Sequence, residues 1–207
     1  MHVFNGTFTC LVSACTMGGK TVWTKKLIQH MDLLITPRID KVWWCYGAYQ
    51  ESLTELLSND RVELVEGFPD LEIIKNTPGN KLLILDDLMS ELENSKVLND
   101  CYTKLAHHCQ LSIITLLQNL YGCNRTVRVN STMMVLLKNP TDALQVQTLA
   151  RQLYPGNSGF LLDAYNDAVS EPFGYLILDN HPQTDDSLRC YTKIFPSEQP
   201  IVFYVRK

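Results

Sequence analysis

The chain lacks any hydrophobic run long enough to cross a membrane, and it lacks an excess of basic residues. No stretch of about 18 apolar residues occurs, so we expect no transmembrane helix and no insertion into a membrane. The 18 Lys and Arg are outnumbered by 22 Asp and Glu, which gives a net charge of −4 at pH 7. Proteins that coat nucleic acid are usually basic, so any contact of this chain with nucleic acid must be local.

The chain also lacks a cysteine pattern typical of a disulfide framework. Its seven Cys are an odd number, and those at 10, 15 and 45 lie within or beside strand-like runs, which indicates buried, reduced thiols. Residues 12–15 are similar to a lipoprotein cleavage box, but no Lys or Arg precedes them, so we expect neither a signal peptide nor secretion. A zinc site and ordinary polar residues before a strand remain alternative interpretations of the group Cys101, His107, His108 and Cys109.

No linker, repeat or low-complexity segment divides the chain, so we expect residues 1–207 to form one domain. Apolar runs alternate with segments of helical periodicity, which predicts an α/β fold with a mainly parallel sheet flanked by helices. We expect Asn139 to cap a helix that begins at Pro140. The other predicted helices are 20–31, 50–57, a segment around 98–105, and 158–168. The predicted strands are 7–14, 41–46, 61–65, 82–85, 111–117, 133–137, 175–178, 188–195 and 200–206.

The segment from Ala14 to Thr21 is similar to the phosphate-binding pattern Gly-x-x-x-x-Gly-Lys-Ser/Thr, or Walker A. It follows a predicted strand and precedes a predicted helix, where backbone N–H groups and the positive end of the helix favour phosphate. Lys20 is expected to neutralise phosphate charge, and Thr21 to ligate Mg²⁺. Ala14 replaces the first Gly of the pattern. The predicted nucleotide-binding residues are Cys15, Thr16, Met17, Gly18, Gly19, Lys20 and Thr21.

A second apolar strand ends in two acids, Asp86 and Asp87, as in the Walker B pattern. We expect Asp86 to hold Mg²⁺ and Asp87 to orient or deprotonate the attacking water. Gln118 follows the next predicted strand, where an amide can sense the γ-phosphate or position the water. Arg125 is our candidate for an arginine finger, with Arg128 and Arg151 as alternatives. The predicted catalytic residues are therefore Lys20, Asp87, Gln118 and Arg125.

The aromatic block Trp43-Trp44-Cys45-Tyr46 has two interpretations. Its rings can stack on bases, or they can belong to the core of a strand, which is the more common role of such residues.

Several blocks together resemble the FtsK–HerA type packaging ATPases of animal DNA viruses and of Polinton/Maverick (adintovirus-like) elements. The resemblance extends from about residue 7 to 196. Its residues, besides Lys20-Thr21, are Trp44 to Gly47 with Tyr49-Gln50, Glu66-Gly67, Pro69-Asp70, Leu85 to Met89, Gln118 to Leu120, Lys138 to Pro140, Leu149 to Gln152 with Tyr154-Pro155, and Phe173 to Leu176.

The resemblance implies a P-loop NTPase of the ASCE, RecA-like type that hydrolyses ATP with Mg²⁺ and drives double-stranded DNA into a preformed capsid. It also implies a homo-oligomeric ring, a pentamer or hexamer, in which ATP lies between neighbours and Arg125 acts in trans. Capsid or vertex proteins would be partners, in the nucleus or cytoplasm of a host cell or associated with the virion.

Two other functions remain open from the sequence. The length suits a nucleoside or nucleotide kinase, but such enzymes usually carry an Arg-rich lid, and Arg151 is the only Arg between 140 and 170. Ala14 also suggests a nucleotide-binding scaffold without turnover. The intact set Lys20, Thr21, Asp86 and Asp87 argues against that scaffold.

Overall fold

Nine of the buried strand segments form one sheet that helices cover on both faces. The computed structural model describes residues 3–88, 96–198 and 200–206. The strands are β1 (Phe4–Asn5), β2 (Thr9–Ser13), β3 (Ile35–Thr36), β4 (Lys41–Tyr46), β5 (Val62–Glu66), β6 (Lys81–Asp86), β7 (Leu111–Leu117), β8 (Met133–Leu137), β9 (Tyr175–Asp179), β10 (Cys190–Thr192) and β11 (Val202–Phe203).

The helices connect these strands. They are α1 (Lys20–Gln29), α2 (Met31–Leu34), α3 (Leu71–Asn76), α4 (Lys96–Asp100), α5 (Ala106–His108), α6 (Arg125–Val129), α7 (Ala143–Leu153) and α8 (Ser158–Ala168). A π-helical turn, Cys101–Leu105, joins α4 to α5, and 3₁₀ turns cover Glu51–Ser58, Asp186–Leu188 and Pro196–Glu198. Among the described residues, no helix has the length and apolar character needed to cross a bilayer.

The main sheet has nine strands in the order β11-β10-β9-β8-β2-β7-β6-β4-β5. The strands from β8 to β5 are parallel to one another, whereas β9, β10 and β11 add to the edge in antiparallel pairs. The predicted α/β class is therefore confirmed, and the last three strands make the sheet mixed. β1 and β3 pair separately.

Alternating side chains of the central strands enter two different hydrophobic layers. Leu83 and Leu85 pack on one face with Tyr102, Leu149 and Leu161. Leu82 and Ile84 pack on the other face with Trp23, Leu27 and Met31, the predicted stripe of the first helix. Strands that are covered on both faces need apolar side chains at every position, which explains the continuous apolar runs in the sequence.

Two predicted helix boundaries were wrong. Asn139 does not cap a helix: its Oδ1 accepts from Thr141 N and Oγ1 in a turn, and α7 begins only at Ala143. Asp142 is the cap instead, since its Oδ1 accepts from Gln145 N at 3.3 Å. The first predicted helix divides at His30 into α1 and α2.

Two helices of five or six residues were missed, and each has a side-chain cap. Asp70 accepts from Glu72 N before α3, and Asn124 accepts from Thr126 N before α6. Both follow the known preference for Asp and Asn at this position, but the helices are too short to show a clear hydrophobic periodicity.

Candidate functional site

Three neighbouring strands end at the same edge of the sheet, and each is followed by a predicted site residue. Ser13 of β2 pairs with Leu117 of β7, and Asp86 of β6 pairs with Leu116 of β7. Because these strands are parallel, the phosphate loop, Gln118 and Asp87 all follow their carboxyl ends. The strand register therefore brings together residues that are distant in the chain, at the edge where open parallel sheets bind ligands.

The phosphate loop makes a tight turn into the N-terminus of α1. Met17 and Gly19 have φ angles of 60° and 92°, in the left-handed region, and Gly18 N donates to Cys15 O at 3.0 Å. The Met17 side chain is 94% exposed, so it is held at the tip of the loop without packing. Gly19 is the N-cap residue of α1, and it has no side chain that could accept from the helix. The first backbone N–H groups of α1 are therefore left facing the loop.

Lys20 is held by its own loop. Its Nζ donates to the carbonyls of Ala14 and Cys15 at 2.8 and 3.0 Å. Burial lowers the pKa of Lys20, while Asp86 and Asp87 oppose that change through their negative charge. The ammonium group of Lys20 is partly desolvated and donates to neutral carbonyl oxygens. Phosphate oxygens carry more negative charge, so they would be stronger acceptors for the same group.

Asp86 and Thr21 carry side-chain oxygens of the kind that Mg²⁺ binds. Asp86 is 5% exposed, and its Oδ2 has no hydrogen-bond partner among the residues that the structure describes. Burial raises the pKa of Asp86 to about 6, although the neighbouring Trp44 indole, Lys20 and Thr21 lower it. A buried, unsatisfied carboxylate oxygen is costly unless a cation binds it, so this pair fits Mg²⁺.

Asp87 lies where β6 turns away from the sheet, and its carboxylate is exposed. Its backbone is left-handed, with φ 58°, which is uncommon for a residue other than Gly. A Cβ atom at Gly47 would lie 2.7 Å from Asp87 O, so the bare glycine after β4 allows this close approach of two strand ends. The turn directs Asp87 to the same cavity as Lys20.

A cavity of about 370 Å³ joins the predicted residues into one site. Gln118 lines it and is exposed, as a residue that contacts a substrate must be. Cys15 contributes its carbonyl to Lys20 but does not line the cavity. The lining residues are Thr16, Met17, Gly18, Gly19, Lys20, Thr21, Val22, Gln50, Asp86, Asp87, Leu116, Gln118 and Phe173.

Phe173 and Gln50 line the cavity although the site prediction omitted them. Phe173 is 65% exposed with φ 61°, and its ring lies against Gly19: a Cβ atom at Gly19 would be 2.9 Å from Phe173 Cδ1. A left-handed backbone is unfavourable for a bulky residue such as Phe173. Both residues appear in the blocks that carry the family resemblance, and that was the available signal.

The structure does not bring the arginine candidates to this cavity. Arg125 is the exposed first residue of α6, and it does not line the site of its own chain. Arg128 packs over the Tyr121 ring at 4.5 Å, and Arg151 is in the last turn of α7. The prediction that Arg125 acts on a neighbouring subunit needs a second chain and stays a prediction.

Other sequence hypotheses have plain outcomes. Trp43 and Trp44 are 2% and 0% exposed in β4, so they belong to the core and do not stack on bases. All seven Cys are free thiols. The described residues contain no cluster of three potential metal ligands, but the His107 side chain lies outside the described set. Met89, at the end of one resemblance block, also lies outside the described residues.

Comparisons with solved structures identify proteins of the same fold. The genome packaging NTPase B204 from Sulfolobus turreted icosahedral virus 2, in complex with ATPγS, has a TM-score of 0.61 and 14% identity, over 95% of this chain and 98% of that one. EssC (ATPases 2 and 3) from Geobacillus thermodenitrificans has a TM-score of 0.60 and 10% identity, over 93% of this chain and 40% of that one.

A third structure, Thermomonospora curvata EccC (ATPases 2 and 3) in complex with a signal sequence peptide, has a TM-score of 0.58 and 12% identity, over 84% and 36% of the two chains. Comparisons with protein-family models and with curated protein sequences found no match. The chain therefore shares the fold of P-loop ATPases from a virus and from secretion systems, at an identity that shows the fold alone.

Proposed function

We propose that this protein is a Mg²⁺-dependent ATP hydrolase that drives double-stranded DNA into a viral capsid. One observation carries the hydrolase: Lys20, Thr21, Asp86, Asp87 and Gln118 face a single cavity at the carboxyl edge of the sheet. The packaging role is supported by the resemblance to FtsK–HerA type ATPases and by the fold shared with B204, which covers nearly all of both chains.

In the proposed reaction, Lys20 exchanges its two loop carbonyls for oxygens of the β- and γ-phosphates. Thr21 and Asp86 would hold Mg²⁺, and the bound ion would neutralise phosphate charge. Asp87 orients the attacking water and accepts its proton, and Gln118 contacts the γ-phosphate or that water. Phe173 covers the outer side of the phosphate loop, where its exposed ring provides an apolar surface for the nucleotide base.

The motor also requires a homo-oligomeric ring, a pentamer or hexamer. In this ring Arg125 of one subunit would reach the γ-phosphate held by its neighbour and stabilise the charge of the transition state. The exposure of Arg125, away from the cavity of its own chain, is compatible with such a role. Double-stranded DNA and capsid or vertex proteins are the proposed partners, inside a host cell or in the virion.

The kinase and scaffold hypotheses have less support. Arg151 lies in the last turn of α7, and α7 begins beyond the carboxyl end of β8, so Arg151 is at the far end of the helix from the site edge. The described residues therefore place no arginine lid over the phosphate loop. A scaffold without turnover would have no need for Asp86 and Asp87 beside Lys20.

The first experiment measures ATP hydrolysis with and without linear duplex DNA, at protein concentrations that permit assembly. We expect turnover that requires Mg²⁺, is lost in Lys20→Ala and rises with duplex DNA. Lys25→Ala is the matched control, because Lys25 belongs to the same helix but pairs with Glu55 and Ser52 O. Turnover that DNA leaves unchanged would contradict the motor, and transfer of phosphate to a nucleoside would establish the kinase.

A further inference from the structure

A second cavity, of about 620 Å³, is larger than the one at the phosphate loop. It lies at the opposite end of the parallel strands. Ser131, which precedes β8, and Asn180, which follows the antiparallel β9, both line it. β8 is parallel to β2, and the phosphate loop follows the carboxyl end of β2. Since the cavity is at the amino end of β8, it is separate from the proposed hydrolysis site.

The lining of this cavity is basic, in a chain whose net charge is −4. Arg128, Arg189 and Arg206 line it, and Asp186 is the only carboxylate among its described lining residues. Three guanidinium groups against one carboxylate leave a local excess of positive charge. A local basic site is what an acidic protein needs if it is to contact a polyanion.

Each guanidinium is held in place by neighbours that leave part of it facing the cavity. Arg189 donates from Nε to Asp186 at 2.7 Å and from Nη1 to the carbonyls of Asp179 and His181. Arg206 donates from Nη2 to Asp186 at 2.9 Å and lies 5.5 Å from the Tyr154 ring. Arg128 lies over the Tyr121 ring. Prearranged guanidinium groups lose little conformational entropy when they bind phosphate oxygens.

Neutral polar groups complete the cavity. Gln152 and Asn180 are among the lining residues, and the N–H groups of their side-chain amides are suitable partners for phosphate oxygens. Tyr121 donates to Gln152 Oε1 at 3.2 Å, which orients that amide. Leu149 and Met134 form the apolar floor. The chemistry of the lining, with guanidinium and amide donors, is that of sites for the backbone of a nucleic acid.

We propose that this arginine cavity binds the phosphate backbone of duplex DNA. The inference rests on the proposed function for the identity of the polyanion, and on the cavity itself for the site. The proposal assigns the DNA contact to residues around β8 to β11, at the end of the parallel strands opposite the proposed ATP site. Hydrolysis at one edge would then act on DNA held at the other edge through the β8 strand and the α7 helix that connect them.

The test measures the fluorescence anisotropy of a short fluorescein-labelled duplex across a range of NaCl concentrations. The same titrations are repeated with proteins that also carry Lys20→Ala, which removes phosphate binding at the loop. We expect Arg206→Gln and Arg128→Gln each to weaken duplex binding about tenfold. Each should also reduce the slope of log K against log[salt] by about 0.9, the value for one lost phosphate contact. Arg206→Lys keeps the charge and should restore the slope.

Two further variants separate binding from structure. Arg38→Gln makes the same change of charge at an exposed arginine beside β4, near the other end of the strand order, and should leave the affinity and slope unchanged. Asp186→Asn removes the one carboxylate of the lining, but the amide oxygen of Asn can still accept from Arg189 and Arg206, so this variant should tighten duplex binding. If the arginines serve only to pair with Asp186, that variant would bind no more tightly, and the proposal would be overturned.

Three outcomes contradict the proposal. Arg206→Gln and Arg128→Gln could bind duplex with the affinity and salt slope of the unmodified chain. Calorimetry with Lys20→Ala could show that inorganic phosphate or pyrophosphate binds and that this binding depends on the arginines, while duplex DNA does not bind. Arg38→Gln could weaken binding as much as the cavity variants.

Failure of the proposal is distinguishable from failure of the proposed function. Basal hydrolysis without DNA should be unchanged in Arg206→Gln, because Arg206 is remote from the phosphate loop. A chain that hydrolyses ATP but binds duplex elsewhere overturns only the cavity assignment. A chain without hydrolysis overturns the proposed function, while the anisotropy measurement still tests the cavity.

Discussion

The methyl group of Ala14 occupies the space that a side chain at Gly18 would need. A Cβ atom at position 18 would lie 2.7 Å from Ala14 Cβ and 2.9 Å from Cys15 O. Ala14 is fully buried where the phosphate-binding pattern has its first Gly. Gly18 thus accommodates the departure from that pattern, and the loop keeps its turn.

This contact predicts different effects of substitution at the two positions. Gly18→Ala should weaken ATP binding about tenfold or more, because the added methyl displaces the Ala14 and Cys15 backbone. Ala14→Gly should bind ATP about as well as the unmodified chain, and the double variant should regain part of the lost affinity. Titration with a fluorescent ATP analogue measures all three. Equal binding by Gly18→Ala would show that the loop adapts without cost.

Asp87→Asn should separate ATP binding from hydrolysis. Asn keeps the size of the side chain and tolerates the left-handed backbone at φ 58°, but it cannot accept a proton. We expect an unchanged dissociation constant for ATP and a decrease in turnover of about 100-fold or more. An assay of phosphate release measures the turnover. Normal turnover would show that Asp87 is not the base. Asp70→Asn, at the cap of α3, is the matched control and should retain full turnover.

Asp86 predicts a pH-dependent difference in stability. Burial raises its pKa from 3.8 to about 6, so the folded protein binds a proton that the unfolded chain has released between those values. The stability of the unmodified chain relative to Asp86→Asn should therefore fall as pH rises from about 4 to 6. At pH 7 and above, Asp86→Asn should be the more stable without nucleotide, by on the order of 3 kcal/mol.

Urea denaturation of both proteins at several pH values measures this difference. Mg²⁺ with ATP should reduce or reverse it at pH 7, since a bound cation favours the ionised carboxylate. A constant difference across the range would show that Asp86 keeps an ordinary pKa.

Phe173→Ala should weaken the binding of ATP more than the binding of tripolyphosphate. Its ring lies beside Gly19 on the cavity and would contact the base rather than the phosphates. Stacking on an aromatic side chain contributes about 1–3 kcal/mol, or roughly 5- to 150-fold in affinity. Phe173→Tyr should bind ATP normally. Equal losses for both ligands, measured by calorimetry, would show that Phe173 only supports the phosphate loop.

Arg125→Ala should lose turnover about 1000-fold or more while it binds ATP normally, because an arginine finger acts in the transition state. Mixed rings of Arg125→Ala and Asp87→Asn subunits should regain activity, since some interfaces then combine an intact Asp87 with an intact Arg125. Arg151→Ala serves as the control. Without recovery in the mixed rings, the finger is another residue.

The sequence alone determined several strands of the sheet, and it indicated which residues at the strand ends to consider as a site. β4, β7 and β8 have the predicted bounds, because strands buried on both faces require uninterrupted apolar residues. The segment from Gly18 to Thr21 and the pair Asp86-Asp87 could be predicted as site residues because phosphate and Mg²⁺ restrict the residue types that bind them, and their roles stay predictions.

Only the tertiary structure decided what depends on contacts between distant segments. Strand register placed Gln118 beside the phosphate loop, and the chain path before β9 placed Phe173 over Gly19. The tertiary structure buries Trp43 and Trp44 in β4, so they cannot stack on bases. It also gathered Arg128, Arg189 and Arg206 into one cavity, although they are distant from one another in the chain. Local propensity encodes single elements, whereas such neighbours arise from the pairing of strands and the packing of helices, which no local pattern specifies.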